Sequence, residues 1–256
     1  MKYCIKKHLL LLAFVSIAFC SYSQNNDSTK SITHMSGAIG VTNNGISIVP
    51  SFSLDKPAVQ FNASVGKKRL SFDPDIRFSL AGKPWSMLFW GRYKVVTGSK
   101  FNMNVGAHLG LNFKTSPLAI NGDTSTTTVT RRYLASEIFP RYSITKNISV
   151  GVYYLYSHGL DAGTIGNTHF VTLNTNFSHI KINDQYFLRF NPQLYYLQLD
   201  AQAGVYFTST LTAGKKNCPF TVSSTINKII HTTIPGKNFV WNASLTYAFN
   251  NNYVKQ

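Results

Sequence analysis

Between residues 101 and 113 the chain reads FNMNVGAHLGLNF. Phe101, Met103, Val105, Ala107, Leu109, Leu111 and Phe113 take one parity, and Asn102, Asn104, Gly106, His108, Gly110 and Asn112 take the other. A period of two without an error over this length predicts a β-strand with one face in an apolar medium and the other in a polar one. RLSFDPDIRFSL, residues 69–80, repeats the pattern, with Leu70, Phe72, Pro74, Ile76, Phe78 and Leu80 against Arg69, Asp73, Asp75 and Arg77. In WSMLFWGRYKV, Trp85, Met87, Phe89, Tyr93 and Val95 oppose Ser86, Arg92 and Lys94, and FVWNASLTYAF closes the series at 239–249. The alternation predicts about twelve strands, at 45–54, 58–66, 69–80, 84–96, 101–120, 123–145, 147–160, 167–180, 185–199, 201–213, 220–234 and 239–249. Asn44-Gly45 is itself a hairpin signal, so a further short strand at 37–42 would raise the count to fourteen.

Composition decides which medium is which. Charged residues are 13% of the chain and aromatics 14%, where a soluble domain carries about a quarter charged. A soluble sandwich would also alternate. Long strands joined by short turns, an apolar face rich in Phe, Tyr and Trp, and a polar face of Asn, Ser, Thr, Gly and charges instead match an antiparallel transmembrane up-and-down β-barrel. The N-terminus agrees with export. Lys2, Lys6 and Lys7 precede the apolar run HLLLLAFVSIAFC, too short to span a bilayer, and small residues stand before Gln24, as in a cleavable signal peptide. The expected organisation is a signal peptide at 1–23, a periplasmic segment or short first strand at 24–44, the barrel at 45–249 and a tail at 250–256. Cys4 and Cys20 leave with the signal, so Cys218 stays alone and no disulfide framework is expected.

Asn121-Gly122 is a two-residue hairpin signal. Centring the turn there pairs residues whose numbers sum to 243, setting His108 opposite Ala135 and Gly106 opposite Glu137 on the polar face, and Leu109 opposite Leu134 on the apolar one. Residues 114–132 then form a long hairpin projecting past the membrane on the extracellular side, with both termini periplasmic. Pro50, Pro74, Pro140 and Pro192 fall inside the predicted strands, where a missing N–H calls for bulges.

The polar face carries the candidate chemistry. If Leu80 pairs with Trp85, Asp73 lies opposite Arg92 with Asp75 diagonal to it. With Arg69, Arg77, Lys94, Arg141 and Arg189 also inward, and Glu137 the third acid, six bases face three acids, and His108 shares their lumen. Such a lattice either cross-braces a narrow barrel or lines a pore that prefers anions; the sequence leaves both open. Catalytic residues are not expected: Ser157 and His158 of YSHGLD are adjacent and point to opposite faces, and no outward acid orients His158 or His169. That histidine pair falls short of the three or four ligands of a metal site. No metal, cofactor or nucleic-acid motif is expected.

The net charge is +16, or +13 once the three leader lysines are gone. Turn by turn, the termini side holds Lys67, Lys68, Lys100, Lys146, Lys181, Lys215 and Lys216 against Asp184. These are either solvated lysines or a contact with anionic lipid or a periplasmic partner.

The leader ending in SYSQ, the block GKKRLSFDPDIRFSLAGKPWSMLFWGRYK and the terminal aromatic strand resemble outer-membrane β-barrel proteins of the Bacteroidota, porin-like in form. The resemblance implies fold and location, in the outer membrane of a Gram-negative bacterium among its lipids, and supplies no site residues. The expected function is a passage for small hydrophilic, in one reading anionic, solutes. A plugged barrel displaying its extracellular hairpin is the alternative, and an outer-leaflet lipid hydrolase is the third.

Overall fold

A computed structural model describes residues 32–47, 49–120 and 123–254. Twelve strands run antiparallel, each paired with its sequence neighbours, and β12 returns to β1 to close a barrel. They are β1 Ile32–Thr42, β2 Ala58–Lys67, β3 Leu70–Ser79, β4 Pro84–Thr97, β5 Phe101–Ile120, β6 Asp123–Ser143, β7 Ile148–Gly159, β8 Asn167–Lys181, β9 Tyr186–Leu199, β10 Gln202–Lys215, β11 Phe220–Thr232 and β12 Phe239–Val254. Closure satisfies every strand edge, which is what allows a sheet to stand in hydrocarbon. The apolar parity points outward: Phe72, Leu134, Leu173, Val222, Trp241 and Leu245 are all more than half exposed. An apolar surface of this extent, continuous around the wall, suits lipid and not water.

The β5–β6 ladder has the register that a turn at Asn121-Gly122 demands, from Phe101↔Tyr142 through His108↔Ala135 to Ile120↔Asp123; the two turn residues themselves lie outside the described residues, as does the segment 1–23 expected to be a signal peptide. We call the end bearing this hairpin the hairpin end and the opposite end, where β1 begins, the terminal end.

The strand count holds but one member differs. The first strand is Ile32–Thr42, and 45–54 is not a strand: within it Pro50–Phe52 form a short 3-10 turn. Asn44-Gly45 therefore opens a long loop rather than a hairpin. The last strand continues past 249 to Val254, so the ladder takes in most of the expected tail and all of the described part of the 24–44 segment up to Thr42.

The prolines also behave differently from expectation. At Pro74 the β2–β3 ladder skips from Asn62↔Asp75 to Val65↔Phe72 without a change of register. Pro140 and Pro192 leave matching gaps in β6–β7 and β8–β9. Each proline interrupts one ladder on the side where its N–H would have pointed, and the neighbouring strand's register absorbs nothing. The bulges fall elsewhere, between Arg77 and Phe78, between Lys94 and Val96, between Val205 and Tyr206 and between Phe177 and Ile180. The first of these leaves Trp85 as an extra residue. It turns from the predicted lipid face into the lumen, where it is 2% exposed.

Part of the lumen is a solid core. Phe170, Tyr195, Leu197, Leu199, Tyr206 and Ile234 form one buried cluster. Ring contacts run around the wall from Phe139 to Tyr153, Phe170, Tyr195 and Tyr206 at centroid distances of 4.9–5.9 Å. Their polar ends are satisfied: the Tyr153 hydroxyl donates to Glu137 at 2.7 Å, and the Tyr206 hydroxyl meets Thr232 Oγ1 at 2.7 Å. The cluster forms one side of the remaining cavity, whose polar lining comes mostly from β1–β6, β11 and β12.

Candidate functional site

The loop between β1 and β2, residues 43–57, folds inward at the hairpin end. Its neck is narrow, because Gly45 N–H donates to Lys56 O and Leu54 N–H to Gly45 O, both at 2.8 Å. Gly45 is needed there: a Cβ would sit 3.0 Å from both Leu54 Cβ and the Trp85 ring. Asn44 ties the neck to β12 by donating from Nδ2 to Trp241 O and accepting at its carbonyl from Asn242 Nδ2, both at 3.2 Å. The tip crosses the mouth. Trp85 Nε1 donates to Phe52 O at 2.7 Å, the Phe52 ring lies 5.2 Å from that of Tyr133, and Val49 packs on the aromatic cluster. An ion pair of 3.2 Å between Lys237 and Asp55 joins the loop to the β11–β12 connection.

Beneath it lies a charge lattice on β3, β4 and β6. Arg92 Nε donates to Glu137 Oε1 at 2.6 Å and Nη1 to Asp73 Oδ2 at 3.0 Å. Ser64 and Ser71 hydroxyls also donate to Asp73, at 2.6 and 3.2 Å. Arg77 grips Asp75 with two bonds, from Nε at 2.8 Å and Nη2 at 2.5 Å. Both guanidiniums lie over tryptophans, Arg92 at 4.4 Å from the Trp90 ring and Arg77 at 5.3 Å from Trp85. The arrangement is rigid, since a bidentate fork and a cation–π face leave little rotational freedom.

One detail of register departs from expectation. Asp73 stands opposite Trp90, and Arg92 opposite Ser71, two residues away from the predicted pairing. The turn causes the shift: Ser79 N–H donates to Lys83 O, which sets the strands three positions from the predicted Leu80–Trp85 pairing, and the bulge at Trp85 takes back one. Arg92 still reaches Asp73 diagonally, while Asp75 pairs within its own strand.

A cavity of about 600 Å3 lies in the lumen beside the lattice. Gly40, Gln60, Arg77, Ser86 and Asn112 are successive cross-strand partners from β1 to β5, and all line it. Ser223 and Ser244, paired across β11 and β12, line it from the other wall. His108 also lines it, with its ring 4.1 Å from that of Trp90.

The other inward bases expected from the sequence gather at the terminal end. Lys94, Arg141 and Arg189 lie within the last four residues of their strands there. None has a carboxylate partner among the described residues; Arg141 and Arg189 rest on Phe139 and Phe187 at 5.9 and 5.1 Å. Arg69 sits at the same lip and donates to Val95 O at 3.3 Å. On the outer face His158 is opposite Asn167 and not His169, whose Nδ1 lies 3.0 Å from the Tyr154 hydroxyl. Among the described residues no group of three His, Cys, Asp or Glu is placed to hold a metal ion.

Sequence reasoning passed over the lumenal aromatics and the inward loop. One signal for the former was available: Leu194, Tyr195, Tyr196 and Leu197 are consecutive apolar residues, and an unbroken apolar run marks a strand buried on both faces. Arg131, the cross-strand partner of Asn112, was missed as an inward base.

No protein-family model matches the sequence, and no curated protein matches it. Among solved structures it is similar to the KdgM porin, at 11% identity and a TM-score of 0.53 over 84% of this chain and 99% of that one. It is likewise similar to the KdgM porin in complex with disordered oligogalacturonate, at 9% identity with the same TM-score and coverage. A NanC porin gives 12% identity and a TM-score of 0.47 over 87% of this chain and 100% of that one. At these identities the likeness to the KdgM porin is one of fold, a closed antiparallel β-barrel.

Proposed function

We propose that this chain is a pore of the Gram-negative outer membrane for small hydrophilic solutes, narrowed at its hairpin end by the β1–β2 loop. The observation that carries this reading is a cavity of about 600 Å3, lined by polar and charged as well as apolar side chains, inside a closed barrel whose outward face is apolar. Lipid surrounds the wall, and with an even strand number the termini are periplasmic and the long β5–β6 hairpin extracellular. Anion preference enters at the periplasmic vestibule, where Arg69, Lys94, Arg141 and Arg189 have no acid beside them. The fold shared with the KdgM porin, seen in complex with disordered oligogalacturonate, supports the assignment.

A plugged barrel is the second reading, favoured by the loop tip that spans the mouth from Trp85 to the aromatic cluster. Liposome swelling separates the two. Proteoliposomes in isotonic arabinose should swell slowly with the intact chain and faster when residues 47–53 are replaced by Gly-Gly. Absence of swelling in both, with the barrel folded, would mean that the lumen is closed.

A further inference from the structure

The polar row in the cavity wall is not used up by the protein's own hydrogen bonding. Gln60, Ser86, Asn112, Ser223 and Ser244 all face the cavity, and among the described residues none of these side chains has a hydrogen-bond partner. Serine hydroxyls and carboxamides offer donors and acceptors in equal measure. The charges beside them are spent: Arg77 and Arg92 are held by Asp73, Asp75 and Glu137, two bases against three acids. With Arg131, which stands opposite Asn112 and has no carboxylate partner among the described residues, three bases meet three acids, so this level carries no net positive charge for an anion, unlike the terminal end. Nor do Trp85 and Trp90 offer open faces, each being 6% exposed or less and covered by a guanidinium. What the walls fit is a molecule that presents many hydroxyls and no charge. The volume lies within the roughly 300–1,000 Å3 of small-ligand sites, large enough for one or two sugar rings.

We propose that this cavity is a binding site for a neutral polyhydroxylated solute of mono- or disaccharide size, held between Gln60, Ser86 and Asn112 on one wall and Ser223 and Ser244 on the other. It deepens the pore reading by naming a solute class, and rests on that reading only for the solute's route in.

Saturation-transfer difference NMR on the refolded full barrel in detergent tests it with sucrose and, separately, sodium glucuronate as probes. Sucrose should receive saturation from the protein, with an affinity insensitive to salt. Asn112→Leu and Ser86→Ala should each weaken it about three- to tenfold, the loss of one or two net hydrogen bonds. Ser86→Ala removes only a hydroxyl, and heat-modifiable gel mobility checks that each variant is folded. No transfer to sucrose, an affinity unchanged in both variants, or tighter binding of glucuronate that weakens with salt would each overturn the proposal. Single-channel recording keeps the two readings apart: conduction without sucrose binding removes the site and leaves the pore, and sucrose binding without conduction removes the pore and leaves the site.

Discussion

Arg92 and Glu137 bond at 2.6 Å although a whole strand, β5, lies between them. They meet because the intervening residue is Gly106, whose missing side chain leaves the room: a Cβ there would stand 2.9 Å from Glu137 Oε1 and 3.1 Å from Arg92 Cγ. The pair braces three strands at once, and Tyr153 adds a fourth through its bond to Glu137.

Glu137→Ala should therefore destabilise the barrel more than Asp73→Ala. Glu137 is 4% exposed in its side chain and Arg92 33%, so the cost falls at about 2–3 kcal/mol, between the roughly 3–5 of a broken buried pair and the 0–1 of an exposed one. Asp73→Ala leaves Arg92 its stronger partner and should cost about 1 kcal/mol. Guanidinium unfolding in micelles measures both. Arg92→Ala combined with Glu137→Ala should recover part of the loss, and Gly106→Val should mimic it by forcing the pair apart.

That lattice was half legible in the sequence. Dyad alternation put Asp73, Asp75, Arg77, Arg92 and Glu137 on one face, because parity survives any even change of register. The partners were less accessible, since the β3–β4 turn at residues 80–82 displaces the pairing by three positions and the bulged Trp85 restores only one. The loop was read as a strand for a related reason. In this loop the Phe52 ring meets Tyr133 and Val49 packs on the aromatic cluster, while the Ser53 hydroxyl accepts from Ser47 N–H, and a loop folded into a lumen has the same two-sided surroundings as a strand.

Ion preference should follow the unpaired bases and not the lattice. Replacing Lys94, Arg141 and Arg189 together by Gln should move the reversal potential in a salt gradient away from anion preference. Arg92→Gln, whose charge is already engaged by two acids, should move it little. The opposite ranking would place the selectivity at the lattice.

Orientation has an internal probe. Cys218 is exposed in the β10–β11 turn at the terminal end and is the sole cysteine among the described residues. A bulky polyethylene-glycol maleimide should miss it on intact cells and label it once the outer membrane is opened. Lys237→Cys in a Cys218→Ser background, at the hairpin end, should label on intact cells. Reversed accessibilities would invert the barrel.

The β7–β8 loop should stay docked in mild acid. Arg132 binds Asp161 through its guanidinium at 2.6 Å and its backbone N–H at 2.6 Å, which holds the Asp161 carboxyl below its ordinary value of 3.8. A folded-state pKa below the unfolded one gives stabilisation that is complete above the ordinary carboxylate range and lost as pH falls through the depressed value. The Arg132 amide resonance should accordingly titrate with a midpoint below 3.8. A midpoint at or above that value would show that the bond does not hold in solution.

The most direct test of the pore is the current through single refolded barrels in a planar bilayer. The intact chain should give small, discrete steps that flicker as the β1–β2 loop moves against Trp85 and Tyr133, and replacement of residues 47–53 by Gly-Gly should give larger, steadier ones. Folded, heat-modifiable protein that carries no current in either form would contradict the account.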